Sequence, residues 1–386
     1  MRRAVYRAAL RLLPVSKAAL RRTGSGLDAR KEAGLLDILR RNRARGAQLR
    51  LFDQKGLACS YLYGDAGTGR ILQPDTAFRL ASVSKLVSAA CVIKLAQDGR
   101  LSLDADVNDF LPYSLRHPAA PRMPISLRML MSHTAGLRDG KAYQQGLKLS
   151  LPVTRVLAGD SFLESPPGAR WSYSNLGAGL VACMLESVLS QSFEGIMQEH
   201  LFLPLGMEAS FYPQRVKGEL ADAWRVLPPR HKANFDAGER KRRPLGDADE
   251  PNPLHHYHLA QGNCCMSAEN LGRLMRALMR PGFFSRSSLD AMHKAQACFG
   301  ARSAHLRQGL GVFLLDDPAI SAVTLYGHQG NAYGAVHAAF YDPAGGRGLI
   351  FLSTGMSEAR REFLCDAVEE VLKLCFEGEG EWLRIS

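Results

Sequence analysis

"FRLASVSKLVSAA", Phe78 to Ala90, is the stretch whose reading decides the fold. It reads as the start of an ordinary amphipathic helix. Ser82 and Lys85, three positions apart, would share one face of that helix, a turn from each other. Either the serine is made nucleophilic by the lysine, or a surface hydroxyl and a solvated ammonium happen to be neighbours. This is the one SxxK in the chain. Two fixed positions are weak evidence by themselves, because composition alone produces about one such match in a protein of this size. The surrounding sequence has to decide.

At 386 residues the chain has room for one large domain, or for two that share an interface. Its 46% hydrophobic and 22% charged residues are ordinary for a globular protein. The formal charge of +12 is unevenly placed. Residues 1–50 hold 14 Lys and Arg against three acids, Asp28, Glu32 and Asp37, a net of +11 that leaves the remainder at about +1. A nucleic-acid enzyme would carry its basic patch on the folded body, so DNA and RNA are not expected as partners.

The basic arm "MRRAVYRAALRLLPVSKAALRR" does not read as a secretory signal, because Arg7 and Arg11 interrupt any apolar core. No stretch approaches the 18 or so apolar residues of a membrane span. Arg3, Arg7 and Arg11 recur every four residues, with Val5, Ala8, Leu12 and Val15 on other faces. One reading is a weak membrane-surface helix or an organelle-type presequence. The other, favoured by composition, is a solubilising, partly disordered tail over residues 1–30. A cytoplasmic location is expected. The eight cysteines, Cys59, Cys91, Cys183, Cys264, Cys265, Cys298, Cys365 and Cys375, form no CxxC pair. Several lie in apolar helical contexts, which suits buried free thiols in a reducing compartment.

Along the chain, "LRLFDQKGLACSYLYGDAGTGRILQPDTAFRLAS" alternates apolar runs with Gly- and Asp-rich turns and predicts two or three strands of a meander. Gly64, Gly67 and Gly69 read as a turn there, since no helix follows to make a phosphate cradle. A helix is predicted from about Ser82 to Gln97, with Gly99 as its C′ residue. "ISLRMLMSHTAGL", the two segments of "NLGAGLVACMLESVLSQSFEGIMQEHLFLPLGM" and "SAENLGRLMRALM" carry helical spacing. Residues 213–258 are polar and aperiodic, expected as a long loop over one face. "GLGVFLL", "AVTLYGH", "GAVHAAFYD" and "GLIFLST" read as strands, and a helix over Glu362 to Phe376 closes the chain. Strands at both ends with helices between predict an α+β fold. An antiparallel sheet built from both chain ends would be flanked by helices and carry an inserted, mainly helical region. In that scheme residues 31–386 form one catalytic domain, its α/β part about 31–100 and 300–386 and its helical part about 101–299.

Two further motifs change the odds on Ser82. "WSYSNLG" supplies Tyr173 and Asn175 ahead of a helix, and "LYGHQGNAYGAV" supplies His328, Gln329, Gly330 and then Asn331 on a strand. With "PDTAFRLASVSK", "LAQDGRLSLDADVNDFLP", "LRMLMSHTAGL", "LFLPLGM" and "SAENLGRLM", the chain from roughly Leu49 to Leu372 resembles the serine β-lactamase and penicillin-binding-protein superfamily, in its class C-like branch. That branch also holds esterases and D-amino-acid peptidases. The resemblance implies Ser82 as nucleophile, Lys85 and Tyr173 as the base system, and Asn175 as a group that holds Lys85 and the substrate. It places His328, Gln329 and Gly330 in the third motif, and implies the backbone amides of Ser82 and Asn331 as oxyanion donors. No metal or other cofactor is called for.

The chemistry needs these residue types. A serine hydroxyl is a weak nucleophile that must lose its proton as it attacks. Lys and Tyr titrate near 10 in water, too high for a base at neutral pH. Desolvation, or a second ammonium nearby, would lower the lysine, and an ammonium beside the phenol would lower the tyrosine. One departure matters: many penicillin-recognising members have Lys-Thr-Gly as third motif, and His328 replaces that cation. The expected activity is therefore ester hydrolysis first. D-amino-acid peptidase or amidase activity and β-lactamase activity stand as alternatives, and a non-catalytic binding protein on the same fold is the rival of another class. The expected partner is a small ester or amide, with substrate choice set by the 213–258 excursion and the loops near Lys141–Ser150.

Plainer readings stand beside these. Tyr173 could be a core aromatic, Asn175 a helix cap and His328 a structural strand residue. His133 in "SHTAG" reads as a loop-fixing residue. His255, His256 and His258 have no carboxylate or further His at helical spacing to complete a metal site.

Overall fold

In the computed structural model residues 3–67, 69–232, 247–300 and 303–377 are described. The strands run, in chain order, β1 Leu20–Gly24, β2 Gly46–Asp53, β3 Leu57–Gly64, β4 Ala77–Arg79, β5 Ala209–Ser210, β6 Ala223–Arg225 and β7 Arg230–Lys232. They continue with β8 Cys265–Ser267, β9 Ala297–Cys298, β10 Leu306–Gln308, β11 Phe313–Leu315, β12 Leu325–Ala332, β13 Ala335–Asp342 and β14 Arg347–Thr354. Nine of them form one sheet in the order β1-β3-β2-β14-β13-β12-β11-β10-β9, all neighbours antiparallel. The two ends of the chain meet where β2 pairs with β14, from Gly46↔Thr354 to Asp53↔Arg347. The fold is α+β, with the sheet built from both chain ends and the mainly helical region inserted between, as the strand pattern predicts.

Both sheet faces are buried, which is why these strands are apolar at consecutive positions rather than alternating. On one face Phe52, Ile350 and Leu352 join the larger core, packed against α3 (Val83–Gln97) and the helices Asn175–Leu189 and Ala268–Met279. On the other, Leu49, Leu51, Tyr61 and Phe351 pack against Leu35 and Leu39 of α2 (Ala29–Arg41) and Val368 and Leu372 of the C-terminal helix Asp366–Phe376. Helix starts follow their caps. Ser174 Oγ accepts from Gly177 N at 3.0 Å and Ser267 Oγ from Asn270 N at 3.3 Å, each satisfying an otherwise orphaned donor. Past α3, Gly99 takes φ +71, the left-handed conformation that a C′ glycine adopts without steric cost.

The structure departs from expectation in four places. The strand β4 leaves the meander and pairs with β8 in a separate three-stranded sheet that also contains β5. The excursion carries its own hairpin, β6–β7, while its residues 233–246 lie outside the described residues. The expected loop at Lys141–Ser150 is a helix, Lys141–Leu149. The largest correction concerns residues 1–30, expected as a partly disordered tail. Residues Arg3–Arg11 form α1, which buries Tyr6 and Leu10, and Leu20–Gly24 adds β1 to the sheet edge against β3. Counting charge along the sequence treats each arginine as solvated. Here Arg3 and Arg7 meet Asp366 at 3.1 and 2.8 Å, and Arg43 donates to the carbonyls of Leu13 and Arg11 at 3.0 and 3.2 Å.

The β12–β13 hairpin turns on Tyr333 and Gly334, at φ +56 and +80. A Cβ on Gly334 would run into the Trp224 carbonyl of β6, whereas Gly69, also at φ +80, has open space around it. Left-handed strain costs about 1–3 kcal/mol at either position, and only Gly334 adds a backbone collision. Urea denaturation is therefore expected to find Gly334→Ala less stable than Gly69→Ala by at least about 1 kcal/mol. Equal losses would show that the hairpin shifts freely away from β6.

Candidate active site

Ser82 stands at the N-cap of α3, just after Ala81, whose φ of +48 is rare for an L-residue with a side chain. The tight turn is closed by Ser84 N donating to Ala81 O at 3.0 Å and Val83 N to Leu80 O at 3.2 Å. Strain of this kind holds a side chain in one place only because the packing around it is over-determined. The third-motif strand supplies that packing. A Cβ on Gly330 of β12 would collide with the Leu80 carbonyl, and His337 of β13 donates from Nε2 to Arg79 O at 3.1 Å.

From the same helix Lys85 turns back toward Ser82. Its Nζ lies 2.6 Å from the Gln261 carbonyl, 2.8 Å from Asn175 Oδ1 and 3.2 Å from Ser82 Oγ. Burial pushes the amine down to about 7, partly opposed by the charge of Asp139. Near that value a neutral amine is well populated. It can donate two N–H bonds to Gln261 and Asn175 and aim its lone pair at the serine hydroxyl.

Asp139 is absent from the sequence reading, and "GLRDGKAY" carries no spacing that marks it. Its carboxylate accepts from Asn175 Nδ2 at 2.7 Å, from the backbone amides of Asn175 and Leu176 at 3.0 Å each, and from Ser174 Oγ at 3.1 Å. It therefore caps the helix Asn175–Leu189 and orients the amide that faces Lys85. Gln261 was missed for another reason: it contributes a backbone carbonyl, which leaves no trace in residue type. Its side-chain Oε1 accepts from Tyr143 Oη.

The Tyr173 phenol is raised above its ordinary value, chiefly by burial, with a hydrogen bond to Ser82 pulling the other way. This corrects the expectation that a nearby ammonium would lower it. Lys85 Nζ is 5.1 Å from the ring centroid, and desolvation prevails. The ring is held by His133 at 4.4 Å and Phe363 at 5.3 Å between centroids. His133 is buried, depressed well below its usual value by burial and by Lys85, and accepts from Ser174 N at 3.3 Å, so it fixes the loop ahead of the helix.

His328 lies over Phe313 at 3.9 Å, and burial followed by the Lys85 charge pushes it down to about 3. It is a neutral imidazole whose Nδ1 donates to the Gln329 carbonyl at 2.5 Å. The Gln329 side chain is committed to the wall: Nε2 donates to Phe363 O at 2.7 Å, and Oε1 accepts from Cys365 N at 3.0 Å. Asn331 pairs with Val336 one rung from the two-residue turn, a non-hydrogen-bonded position whose amide points off the strand edge. That edge is open because β11 reaches only as far as Gly327. His256 is buried, with Nδ1 2.6 Å from Glu186 Oε1 and Nε2 3.4 Å from Tyr212 Oη.

Ser82, Tyr173, Asn175, His328, Gln329 and Asn331 line one cavity of about 420 Å³, with Lys85 behind Ser82. Arg79, Arg360 and Phe363 complete the walls, together with Tyr143, Gln144 and Leu147 of the helix Lys141–Leu149, in the segment expected to take part in substrate choice. The size suits a small organic molecule. The eight cysteines are all free, and each but Cys298 is buried.

A serine at a helix N-terminus behind the strained Ala81, a buried lysine beside it and a strand edge alongside fit a serine hydrolase. A family model described as Beta-lactamase matches residues 30–372, and the chain belongs to that family. Esterase EstB of Burkholderia gladioli is 28% identical over 402 aligned positions, spanning 92% of this chain and 99% of that protein. Among solved structures, EstCE1, titled a hydrolase with promiscuous acyltransferase activity, superposes with a TM-score of 0.70 at 22% identity, covering 89% of this chain and 97% of its own. The D-amino acid amidase of Ochrobactrum anthropi SV3 gives a TM-score of 0.67 at 20% identity, covering 90% and 98%. At those identities the two structures speak for the fold. Among the described residues no single helix is long and apolar enough to cross a membrane.

Asp139→Asn removes the charge that raises Lys85 and weakens the cap of the helix Asn175–Leu189. The acidic limb of the pH profile for covalent labelling of Ser82 should move to lower pH. Stability should fall by roughly 1 kcal/mol, the usual effect of losing a cap. An unmoved limb would mean that Asp139 does not act electrostatically on Lys85.

Proposed function

We propose that Ser82 is the nucleophile of a serine hydrolase that cleaves a small ester, or an amide in the second place, through an acyl-enzyme. The observation that carries this reading is the setting of Lys85. Its amine is buried, lowered to about 7, and within 3.2 Å of Ser82 Oγ at the floor of the cavity. As Ser82 Oγ attacks the substrate carbonyl, its proton passes to Lys85 Nζ, directly or through the Tyr173 phenol. The carbonyl π electrons move onto oxygen, and the backbone amides of Ser82 and Asn331 stabilise that oxyanion. Collapse expels the leaving group, which takes the proton back from Tyr173 or Lys85. Water then repeats the sequence on the acyl-enzyme and regenerates Ser82. With its phenol raised, Tyr173 serves as a neutral relay and acid, and the basic work falls to Lys85.

The preference for esters rests on the likeness to esterase EstB over nearly the full length of both chains and on the neutral His328, which offers a substrate carboxylate no charge. The superposition on the D-amino acid amidase supports amide hydrolysis as the second reading. A binding protein without catalysis would need no buried amine poised near neutrality.

Incubation with a fluorophosphonate probe should label the wild type at Ser82 and leave Ser82→Ala unlabelled. An unlabelled wild type, or equal labelling of the variant, would overturn the assignment. Because the free amine is the reactive form, kcat/KM on p-nitrophenyl acetate should rise with pH through about 7 and level off above it. Lys85→Ala should lower kcat/KM by at least about 100-fold, the usual scale of general-base catalysis. A profile flat from pH 6 to 8 would remove Lys85 as the base.

A further inference from the structure

The N-terminal helix is joined, contact by contact, to one wall of the cavity. After β14 the chain runs through Met356–Cys365 into the C-terminal helix, and from this segment Arg360 and Phe363 line the cavity. On the cavity side it is tied by the Gln329 side chain, which bonds Phe363 O and Cys365 N. On its outer side it meets α1. Tyr6 and Leu10 bury themselves against Ala359, with Leu13, Val226 and Leu227 packed around them. Tyr6 Oη accepts from Glu358 N at 3.2 Å. Just beyond, Arg3 and Arg7 clasp Asp366 at the first turn of the C-terminal helix, and Arg7 reaches Glu370 at 3.5 Å.

The pairing follows from two matched spacings. Arg3 and Arg7 are four apart on one helix, Asp366 and Glu370 four apart on the other, so both pairs present one face. Asp366 is 3% exposed, whereas Arg3 and Arg7 keep more than a third of their side chains in solvent, so the pair is screened on the arginine side and buried on the carboxylate side. The segment Met356–Cys365 and α1 each have a further anchor of their own. Arg225 of β6 binds Glu358 at 2.8 Å, and Asn42 O accepts from Ser357 N at 2.9 Å. Arg43 closes the C-terminal end of α1 through the carbonyls of Arg11 and Leu13.

We propose that α1 is a positioning element for the substrate cavity: by holding Glu358, Ala359 and Asp366 from outside, it sets where Arg360 and Phe363 stand on the inside. The inference rests on the reading of Ser82 as nucleophile. Tyr6, Leu10, Arg3 and Arg7 touch no substrate and act only through that segment. Loosening it widens and softens one wall of the cavity while the Ser82–Lys85–Asn175 unit, built from α3 and the helix Asn175–Leu189, keeps its own bonds. The effect therefore falls on substrate binding more than on the chemical step.

The test uses the full chain with three double variants: Arg3→Gln with Arg7→Gln, Tyr6→Ala with Leu10→Ala, and Arg3→Lys with Arg7→Lys. For p-nitrophenyl esters of two to eight acyl carbons, the first two should raise KM about fivefold for the longer acyl chains, equivalent to about 1 kcal/mol. Their kcat, normalised to sites titrated with the fluorophosphonate, should stay within about twofold of wild type. The lysine pair keeps the charges and should restore KM most of the way. An unchanged KM in both of the first two variants overturns the proposal, whether or not their Tm falls. So does a loss confined to the number of titratable sites, which marks a merely structural role. Failure of the wild type to label is a different result and overturns the Ser82 reading instead.

Discussion

The burial of one amine is the constraint on which the rest of this structure depends. Lys85 lies in α3, a helix with twelve of its fifteen residues buried, so its amine is largely cut off from solvent. An ammonium in such a place is costly unless a carboxylate meets it, and a carboxylate in direct contact would fix it as an ammonium. Here the acid is held at one remove. Asp139 binds the Nδ2 side of Asn175, and the Oδ1 side of the same amide faces Lys85. The amine is thus offered neutral acceptors and a distant charge, which leaves it near 7. Folding therefore favours the free amine. The unfolded lysine titrates near 10.4, so this group opposes the fold below about pH 7 and progressively less as pH rises toward 10.

Around that amine the fold brings together parts far apart in sequence. The helix carrying Ser82 and Lys85 follows the first strands, Tyr173 and Asn175 open a helix of the inserted region, and His328 to Asn331 lie on β12 near the C-terminal end. They converge because β2 pairs with β14, which places β12 two strands from the junction of the chain ends. Glycine at position 330 then lets β12 approach the Leu80 carbonyl, and the strained turn at Ala81 is held from that side.

Much of this was legible in the sequence, and the rest was hidden for physical reasons. Ser82 and Lys85 stand out through helical spacing, Tyr173 and Asn175 through their place before an apolar helix, and the sheet through four strand-like runs near the C-terminus. Asp139 was invisible because its work is done through an amide and a helix end thirty-five residues on. The Gln261 carbonyl could not be read because every residue has one. The order of residues 3–30 cannot be read from charge along the chain, because the partners of Arg3 and Arg7 sit about 360 residues away. The Tyr173 phenol was expected to be lowered by its ammonium neighbour. Only the packing of His133 and Phe363 around it shows how completely it is desolvated.

The replacement of a third-motif cation by His328 bears on this same balance. A second ammonium on β12 would repel that of Lys85 and lower it further, while offering a charge to an anionic substrate. His328 does neither. It is pushed down to about 3, in part by Lys85 itself, and stays neutral across the range in which the lysine titrates. The depression of Lys85 therefore comes from burial alone, and burial is a property of packing rather than of any one partner. It follows that whatever tightens or loosens the shell around α3 acts on the base directly. The inner part of that shell is the helix Asn175–Leu189, whose Asn175 faces Lys85, together with the Gln261 carbonyl.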